Sequence, residues 1–379
     1  MTTFDCVIVG AGPAGASAAY HLAKAGQSVV ILERETLPRY KPCGGGVSPQ
    51  VAQWFDFDFS PVISARVKRI RYTWKLEQAV ETELQLDEPL WMVRREVFDH
   101  FLVQQAQKQG AQLWDQTKAT GIEFQRDRWQ IQTNREPVIG LYLIAADGAR
   151  GPMAKWLGFG QRQYSMGGAI EVEPKVEVPQ EPVAHFEFGL LKNGYVWNFP
   201  KVDGYSLGSG AFRAKQGQKY DLRPALADYA ASFGVELKQQ QKHGHPLLIW
   251  QADQTLHTQH AVLAGEAACV VDPFTAEGIR PAMFSGVKAA QAVTQALAGD
   301  HNALADYTKT MTEEWGNQMR WAKRLAQAFY TAPSLAYQLG VKNPRSTAAM
   351  VRLFCGELSY EEVTQRAFKR LGMGWLAKR

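Results

Sequence analysis

The first 33 residues constrain the fold more than any other part of the chain. An apolar run from Asp5 to Val9 leads into Gly10-Ala11-Gly12-Pro13-Ala14-Gly15. A helix-compatible stretch follows from Ala16 to Ala25, and a second apolar run, Ser28 to Leu32, ends at Glu33. The pattern is strand, glycine turn, helix, parallel strand. Each glycine answers a steric demand: Gly10 makes the tight turn, Gly12 lets a pyrophosphate approach, and Gly15 lets the helix pack on the strand. Pro13 suits the first helical turn, where its missing N–H is not needed. The free N–H groups of that turn and the helix dipole attract phosphate, with Ala14 inside the same turn. Glu33 stands where a carboxylate accepts hydrogen bonds from a ribose diol, with Arg34 beside it. The bland alternative is a tight turn that binds nothing. The strand before, the helix after and the acid at the right distance together favour a dinucleotide.

At 379 residues the chain has room for two linked domains with full cores. Hydrophobic residues make up 46%, which excludes a disordered chain. The net charge of +5 is modest and its bases are scattered, so no nucleic-acid partner is expected. Cys6, Cys43, Cys269 and Cys355 are too few and too scattered for a disulfide framework or a zinc site, and no metal is expected. The first strand starts almost at Met1, leaving no room for a signal peptide. No apolar run reaches the ~18 residues that span a bilayer. The expected setting is cytoplasmic, with any membrane contact peripheral. Nothing in the pattern specifies an oligomeric state.

The expected fold class is α/β: a Rossmann-like domain interrupted by an antiparallel-sheet substrate domain, with a helical C-terminal tail. The nucleotide domain is divided among residues 1–60, 91–160 and 256–300. The intervening segments 61–90 and 161–255 are rich in alternating strand patterns, and 301–379 is helical and amphipathic. Tyr195, Trp197 and Phe199 alternate on one strand and therefore share a face. They are either ordinary core or the wall of a cavity for a long apolar substrate. His243 and His245 are expected to be surface or hydrogen-bonded histidines rather than ligands.

Two later segments point to the cofactor. Leu143-Ile144-Ala145-Ala146-Asp147-Gly148-Ala149-Arg150 resembles the second glycine-acid turn of FAD-dependent monooxygenases and their relatives, the para-hydroxybenzoate hydroxylase-like flavoproteins. Leu263-Ala264-Gly265-Glu266-Ala267-Ala268, followed by Asp272-Pro273-Phe274 and Glu277-Gly278-Ile279, resembles their third motif. The resemblance implies an FAD-binding domain. It places an acid near the ribityl chain, though Glu266 stands where that group has Asp, and a helix N-terminus at Gly278-Ile279 facing the flavin. Arg95 matches an arginine that lies before a helix near the flavin; the alternative is a solvated helix start.

Three further segments narrow the group. Tyr40-Lys41-Pro42-Cys43-Gly44-Gly45, Tyr195-Val196-Trp197-Asn198-Phe199-Pro200 with Gly208-Ser209-Gly210 after it, and Cys355-Gly356-Glu357-Leu358-Ser359-Tyr360 resemble motifs of the geranylgeranyl reductase family. The resemblance implies FAD held by Gly10, Gly12, Pro13, Ala14, Gly15, Glu33, Arg34, Cys43, Gly44, Gly45, Arg95, Asp147, Gly148, Gly265, Glu266, Pro273, Gly278 and Ile279. It implies a hydrophobic prenyl-containing substrate against Tyr195, Trp197, Phe199, Gly208 and Gly210, hydrogenated at its double bonds, with Cys43 and Tyr195 as catalytic candidates. No second nucleotide fingerprint is present, so the reductant is NADPH docking transiently or reduced ferredoxin. Two rivals stay open: an FAD-dependent monooxygenase or halogenase, since halogenases carry a W-x-W-x-I-P segment, and a non-catalytic prenyl-binding escort protein. The basic and aromatic tail, residues 366–379, is expected either to touch a membrane surface or to end as a solvated helix.

Overall fold

The computed structural model describes residues 2–84, 88–212 and 221–370. Its first layer is built on five parallel strands, with Gln112–Trp114 pairing on the outer side of Val29–Leu32. Thr2–Val9 lies between Val29–Leu32 and Val138–Ala145, and Ala261–Leu263 pairs with the far side of Val138–Ala145. Val7 to Val9, Val29 to Leu32, Leu143 to Ala145 and Ala261 to Leu263 are apolar and buried, as parallel strands inside an α/β layer are. Residues Val9, Leu32, Ala145 and Leu263 lie in register at the carboxyl ends of these strands. In an open α/β sheet that edge is where a nucleotide lies. Helix Pro13–Lys24 packs on helix Ile279–Leu297 through small residues: a Cβ on Gly286 would stand 2.2 Å from the Ala14 carbonyl oxygen.

The second layer is a seven-stranded sheet in the order His243–Trp250, Tyr164–Val172, Gly204–Ala211, Gly194–Lys201, Val183–Phe188, Arg69–Trp74, Glu77–Glu83. Every pairing is antiparallel except Arg69–Trp74 with Val183–Phe188, which is parallel. That pair joins two stretches of chain far apart in sequence into one sheet. A three-stranded patch, Gly46–Val47, Leu90–Met92 and Ala65–Val67, lies between the layers.

The chain closes with helices over the second sheet. Asn317–Thr331 ends at Pro333, which starts the short helical segment Pro333–Val341. Pro344–Phe354 begins with Asn343 as its cap, accepting from Arg345 N at 3.0 Å, and Tyr360–Arg370 follows. Among the described residues no helix is long and apolar enough to cross a membrane.

Candidate active site

The glycine turn has the geometry its sequence demands. Gly10 has φ +106°, and a Cβ there would meet the Ala146 carbonyl oxygen at 2.4 Å. A Cβ on Gly15 would meet the Gly10 carbonyl oxygen at 1.9 Å. Gly12 differs: the nearest atom to its virtual Cβ is Arg39 Nη2 at 4.0 Å. Gly10 and Gly15 are therefore required by the fold itself, whereas Gly12 leaves room for something to approach. Glu33 is buried at the end of its strand. It accepts from Ala11 N at 3.0 Å and Glu35 N at 3.1 Å, so it also braces the turn.

A chain of buried charge runs from Glu33. Arg39 lies 3.5 Å from Glu33 and donates to Asp99 at 3.0 Å; Asp99 accepts two bonds from Arg95 at 2.7 and 2.8 Å. Burial alone raises a carboxyl pKa, but Arg95 and Arg39 together hold the Asp99 carboxyl below its usual range. Arg95 is thus not a solvated helix start. It is buried and lines the cavity described below. Arg39 was not singled out from the sequence, because one arginine in a loop looks like any solvated base. Arg34 points away: its side chain is 60% exposed and paired with Glu35, and it does not line the cavity.

The second and third motifs divide their labour. Gly148, with φ +74°, lines the cavity. Asp147 does not; it accepts from Met153 N at 2.9 Å, and burial pushes its carboxyl up to about 6. Gly265, Gly278 and Ile279 line the cavity, and Gly278 caps helix Ile279–Leu297. Pro273 stays behind the lining, where Phe274 and Thr275 take its place. Glu266 uses its extra methylene to reach the second sheet: it contacts His245 Nε2 at 3.0 Å and accepts from Leu248 N at 3.2 Å. Lys41 Nζ lies 2.9 Å from the same His245 nitrogen. Burial, with Arg95 nearby, pulls the Lys41 ammonium down to about 8. His245 is therefore hydrogen-bonded, as expected, but inside the site rather than at the surface.

The Tyr40–Gly45 loop is fastened to the second sheet by one buried carboxylate. Glu171 Oε1 accepts from Tyr40 OH and from Cys43 N, each at 2.7 Å. Its Oε2 accepts from Ser206 Oγ at 3.0 Å, and Ser206 Oγ in turn accepts from Trp197 Nε1 at 3.1 Å. A Cβ on Gly44 would stand 2.8 Å from the Phe199 ring, and one on Gly45 2.0 Å from the Val93 carbonyl oxygen. The glycine run therefore lets the loop lie flat between cofactor strand and aromatic wall. Lys201 is almost wholly buried and donates to Gly44 O at 2.6 Å and Val93 O at 2.9 Å. Burial pulls its ammonium down to about 8. Glu171 and Lys201 were missed because a charge on an alternating strand normally faces water.

These elements enclose a cavity of about 630 Å³. One end is lined by Gly12, Pro13, Ala14, Gly148, Gly265 and Gly278. The other is walled by Phe186, Phe188, Tyr195, Trp197, Phe199 and Phe212 and closed by the C-terminal helices. Tyr195, Trp197 and Phe199 do share a face, with successive ring centroids 6.2 and 6.3 Å apart. Gly208 and Gly210 do not line the cavity. A Cβ on Gly208 would meet Trp197 Cζ2 at 2.0 Å, and one on Gly210 would meet Phe212 at 2.6 Å. They seat the aromatics instead of touching a ligand. Tyr195 donates its hydroxyl to Thr275 O at 2.6 Å. The third tail motif acts at that same turn: Tyr360 OH donates to Asp272 at 2.5 Å, while Asp272 accepts from Phe274 N and Thr275 N. The basic tail lies largely outside the described residues, which end at 370.

The residues present fit FAD. The open approach at Gly12, the free N–H groups of helix Pro13–Lys24 and the cavity continuing past Gly148 and Gly278 form one trough along the strand ends. The model of the FAD binding domain family matches residues 3–194. A geranylgeranyl diphosphate reductase of Synechocystis is 26% identical over 387 residues, covering 94% of this chain and 90% of that protein. The chain belongs to the FAD binding domain family and is an FAD-dependent oxidoreductase similar to geranylgeranyl reductases. An uncharacterised protein of Methanosarcina barkeri is 32% identical over 301 residues, 78% of this chain and 76% of that one. In fold, this flavoprotein is similar to a geranylgeranyl bacteriochlorophyll reductase-like protein of Thermoplasma acidophilum. The TM-score is 0.79 at 22% identity, over 97% of this chain and 96% of that one. A flavin-dependent brominase shares the fold with a TM-score of 0.71 at 20% identity, over 98% and 99% of the two chains. In this FAD-dependent oxidoreductase, Gly12, Pro13, Ala14 and Glu33 would hold the adenosine and pyrophosphate half, and Gly44, Gly45, Arg95, Gly148, Gly278 and Ile279 the flavin half.

Proposed function

We propose that this flavoenzyme hydrogenates carbon–carbon double bonds of a prenyl chain. The observation that carries the reading is the aromatic cavity opening directly off the cofactor trough. When bound and reduced, FAD supplies the hydride. An isolated alkene has no carbonyl to hold the charge, so a proton must reach one carbon as hydride reaches the other. The chain's own residues meet the demands that follow. Phe186, Trp197 and Phe199 keep water away, and their ring faces favour a developing positive charge. Cys43 lies in the lining between trough and wall, held in place by Glu171 through its backbone N–H. It supplies the proton, and the cations Arg95, Lys201 and Lys41 balance the thiolate left behind. Tyr195 positions the wall: its proton is committed to Thr275 O, and burial pushes its phenol well above the usual range. NADPH or reduced ferredoxin restores the reduced cofactor between turnovers.

The test is anaerobic. The FAD-loaded protein is photoreduced without oxygen and offered a panel of prenyl diphosphates, prenylated glycerolipids and prenylquinones. The expected product gains two hydrogens per double bond by mass. Cys43→Ser should lower that turnover by about 10²-fold or more while FAD content stays unchanged. A protein that leaves every prenyl chain intact without oxygen, yet turns over an aromatic substrate with it, is a monooxygenase or halogenase instead.

A further inference from the structure

The outer wall of the cavity has a one-sided charge. Between Trp315 and Gly356 the chain carries six cations, Arg320, Lys323, Arg324, Lys342, Arg345 and Arg352, and no Asp or Glu. Four are engaged elsewhere. Arg320 pairs with Asp253, and Lys323 donates to Gln251 O at 2.9 Å. Arg324 lies 4.5 Å over the Trp321 ring, and Arg352 pairs with Glu357 at 2.9 Å. Among the described residues, Lys342 and Arg345 have no carboxylate within ion-pair distance.

Those two bases follow directly on Pro333–Val341. In that segment Leu335 and Leu339, one turn apart, are 55% and 52% exposed. Its other side faces inward. Tyr337 is fully buried and donates to Tyr72 O at 3.1 Å and Gln78 O at 2.8 Å, while Ala336, Gly340 and Val341 line the cavity. Arg345 both lines the cavity and is exposed, so the cavity reaches the surface there. Leu76, 42% exposed, sits at the tip of the neighbouring hairpin, whose Gln78 side chain bonds that of Gln338 at 2.6 Å. Single exposed leucines are ordinary. Leucines and unpaired bases together on the thin outer wall of an apolar cavity form the two-part signature of an interfacial surface.

We infer that Pro333–Arg345 docks this protein on an anionic lipid bilayer, leucines inserted and Lys342 and Arg345 against the head groups. The purpose rests on the prenyl-reductase reading: a chain passing from bilayer to cavity at this wall never exposes its methylenes to water. Charge fixes the partner, since a neutral surface gives two unpaired bases nothing to meet.

The experiment is flotation of the FAD-loaded protein with vesicles of phosphatidylcholine alone and of phosphatidylcholine mixed with phosphatidylglycerol. The wild type is expected to float with the anionic vesicles only. Lys342→Gln with Arg345→Gln should weaken that binding about thirtyfold, as the loss of two bases near an anionic surface implies. Leu335→Gln with Leu339→Gln should weaken it about tenfold or more. The leucine variant should keep wild-type FAD content and wild-type prenyl reduction in detergent micelles. Wild-type protein that ignores anionic vesicles, or variants that bind them as the wild type does, would overturn the inference. Prenyl reduction in detergent without vesicle binding leaves the reductase reading standing and the docking wrong. Vesicle binding without prenyl reduction does the reverse.

Discussion

Two alanine substitutions three residues apart should have opposite consequences. At Gly12 a methyl group meets nothing closer than Arg39 Nη2 at 4.0 Å, and the backbone there, φ −77° and ψ −179°, suits any residue. Gly12→Ala should therefore leave the apoprotein as stable as the wild type, or more stable by about 0.4–1 kcal/mol through the unfolded chain's lost freedom. At Gly15 the methyl falls 1.9 Å from the Gly10 carbonyl oxygen, well inside contact distance. Helix and turn must part, at an overpacking cost of about 1–3 kcal/mol or more. FAD binding divides differently. A methyl on Gly12 stands between the pyrophosphate and the helix N–H groups. Losing two charge-assisted hydrogen bonds of about 1.5–3 kcal/mol each weakens FAD by a factor on the order of 10²–10⁴. Thermal unfolding of the two apoproteins, with flavin titration followed by fluorescence quenching, reads both quantities. A Gly12→Ala protein that is destabilised without cofactor, or that binds FAD as tightly as the wild type, refutes the assignment of this turn.

Lys201 gives a pH-dependent test. Its ammonium is depressed from 10.5 to about 8, so burial of the charge costs stability below about pH 8, and that cost disappears as pH rises toward 10.5. Between pH 7.5 and 9.5 the relief is about 2 kcal/mol. Lys201→Met should lose that much of the wild-type rise in urea stability, and parallel curves would contradict it. Gly208→Ala should displace Trp197, costing about 1–3 kcal/mol and shifting the indole fluorescence. Glu171→Ala strands the donors of Tyr40, Cys43 and Ser206; a loss of about 2–5 kcal/mol and failed prenyl reduction are expected, measured by denaturation and anaerobic turnover. Acid should act at Asp99: its carboxyl is held below the ordinary range, so its contribution is present above about pH 4 and lost as pH falls through the depressed value.

The nucleotide layer was legible because its residues obey local rules. Gly10 and Gly15 sit at fixed offsets where the turn's sterics admit little else, Gly12 stands where a ligand must approach, and apolar runs betray buried strands. The shared face of Tyr195, Trp197 and Phe199 was legible from period-two spacing, and its reading as a cavity wall came from the family resemblance. What escaped was charge. Glu171, Lys201, Arg39 and the Lys41–His245–Glu266 cluster owe their roles to partners many residues away, and nothing local marks a buried strand carboxylate from a solvated one. Gly208 and Gly210 were assigned to the ligand through their resemblance to a family motif; the rings of Trp197 and Phe212 occupy that space. The parallel pairing of Arg69–Trp74 with Val183–Phe188 was likewise invisible, since pairing across such a gap has no local signature.

The carboxylate of Glu171 answers to both sides of the molecule at once. It holds the loop bearing Cys43 with one oxygen and, through Ser206, the indole of Trp197 with the other. Any attempt to re-tailor this enzyme for a bulkier guest by reshaping the Trp197 side will therefore tug on the Cys43 loop as well. Variants selected for new specificity should come paired with compensating changes near Cys43, and those that do not should trade selectivity against speed.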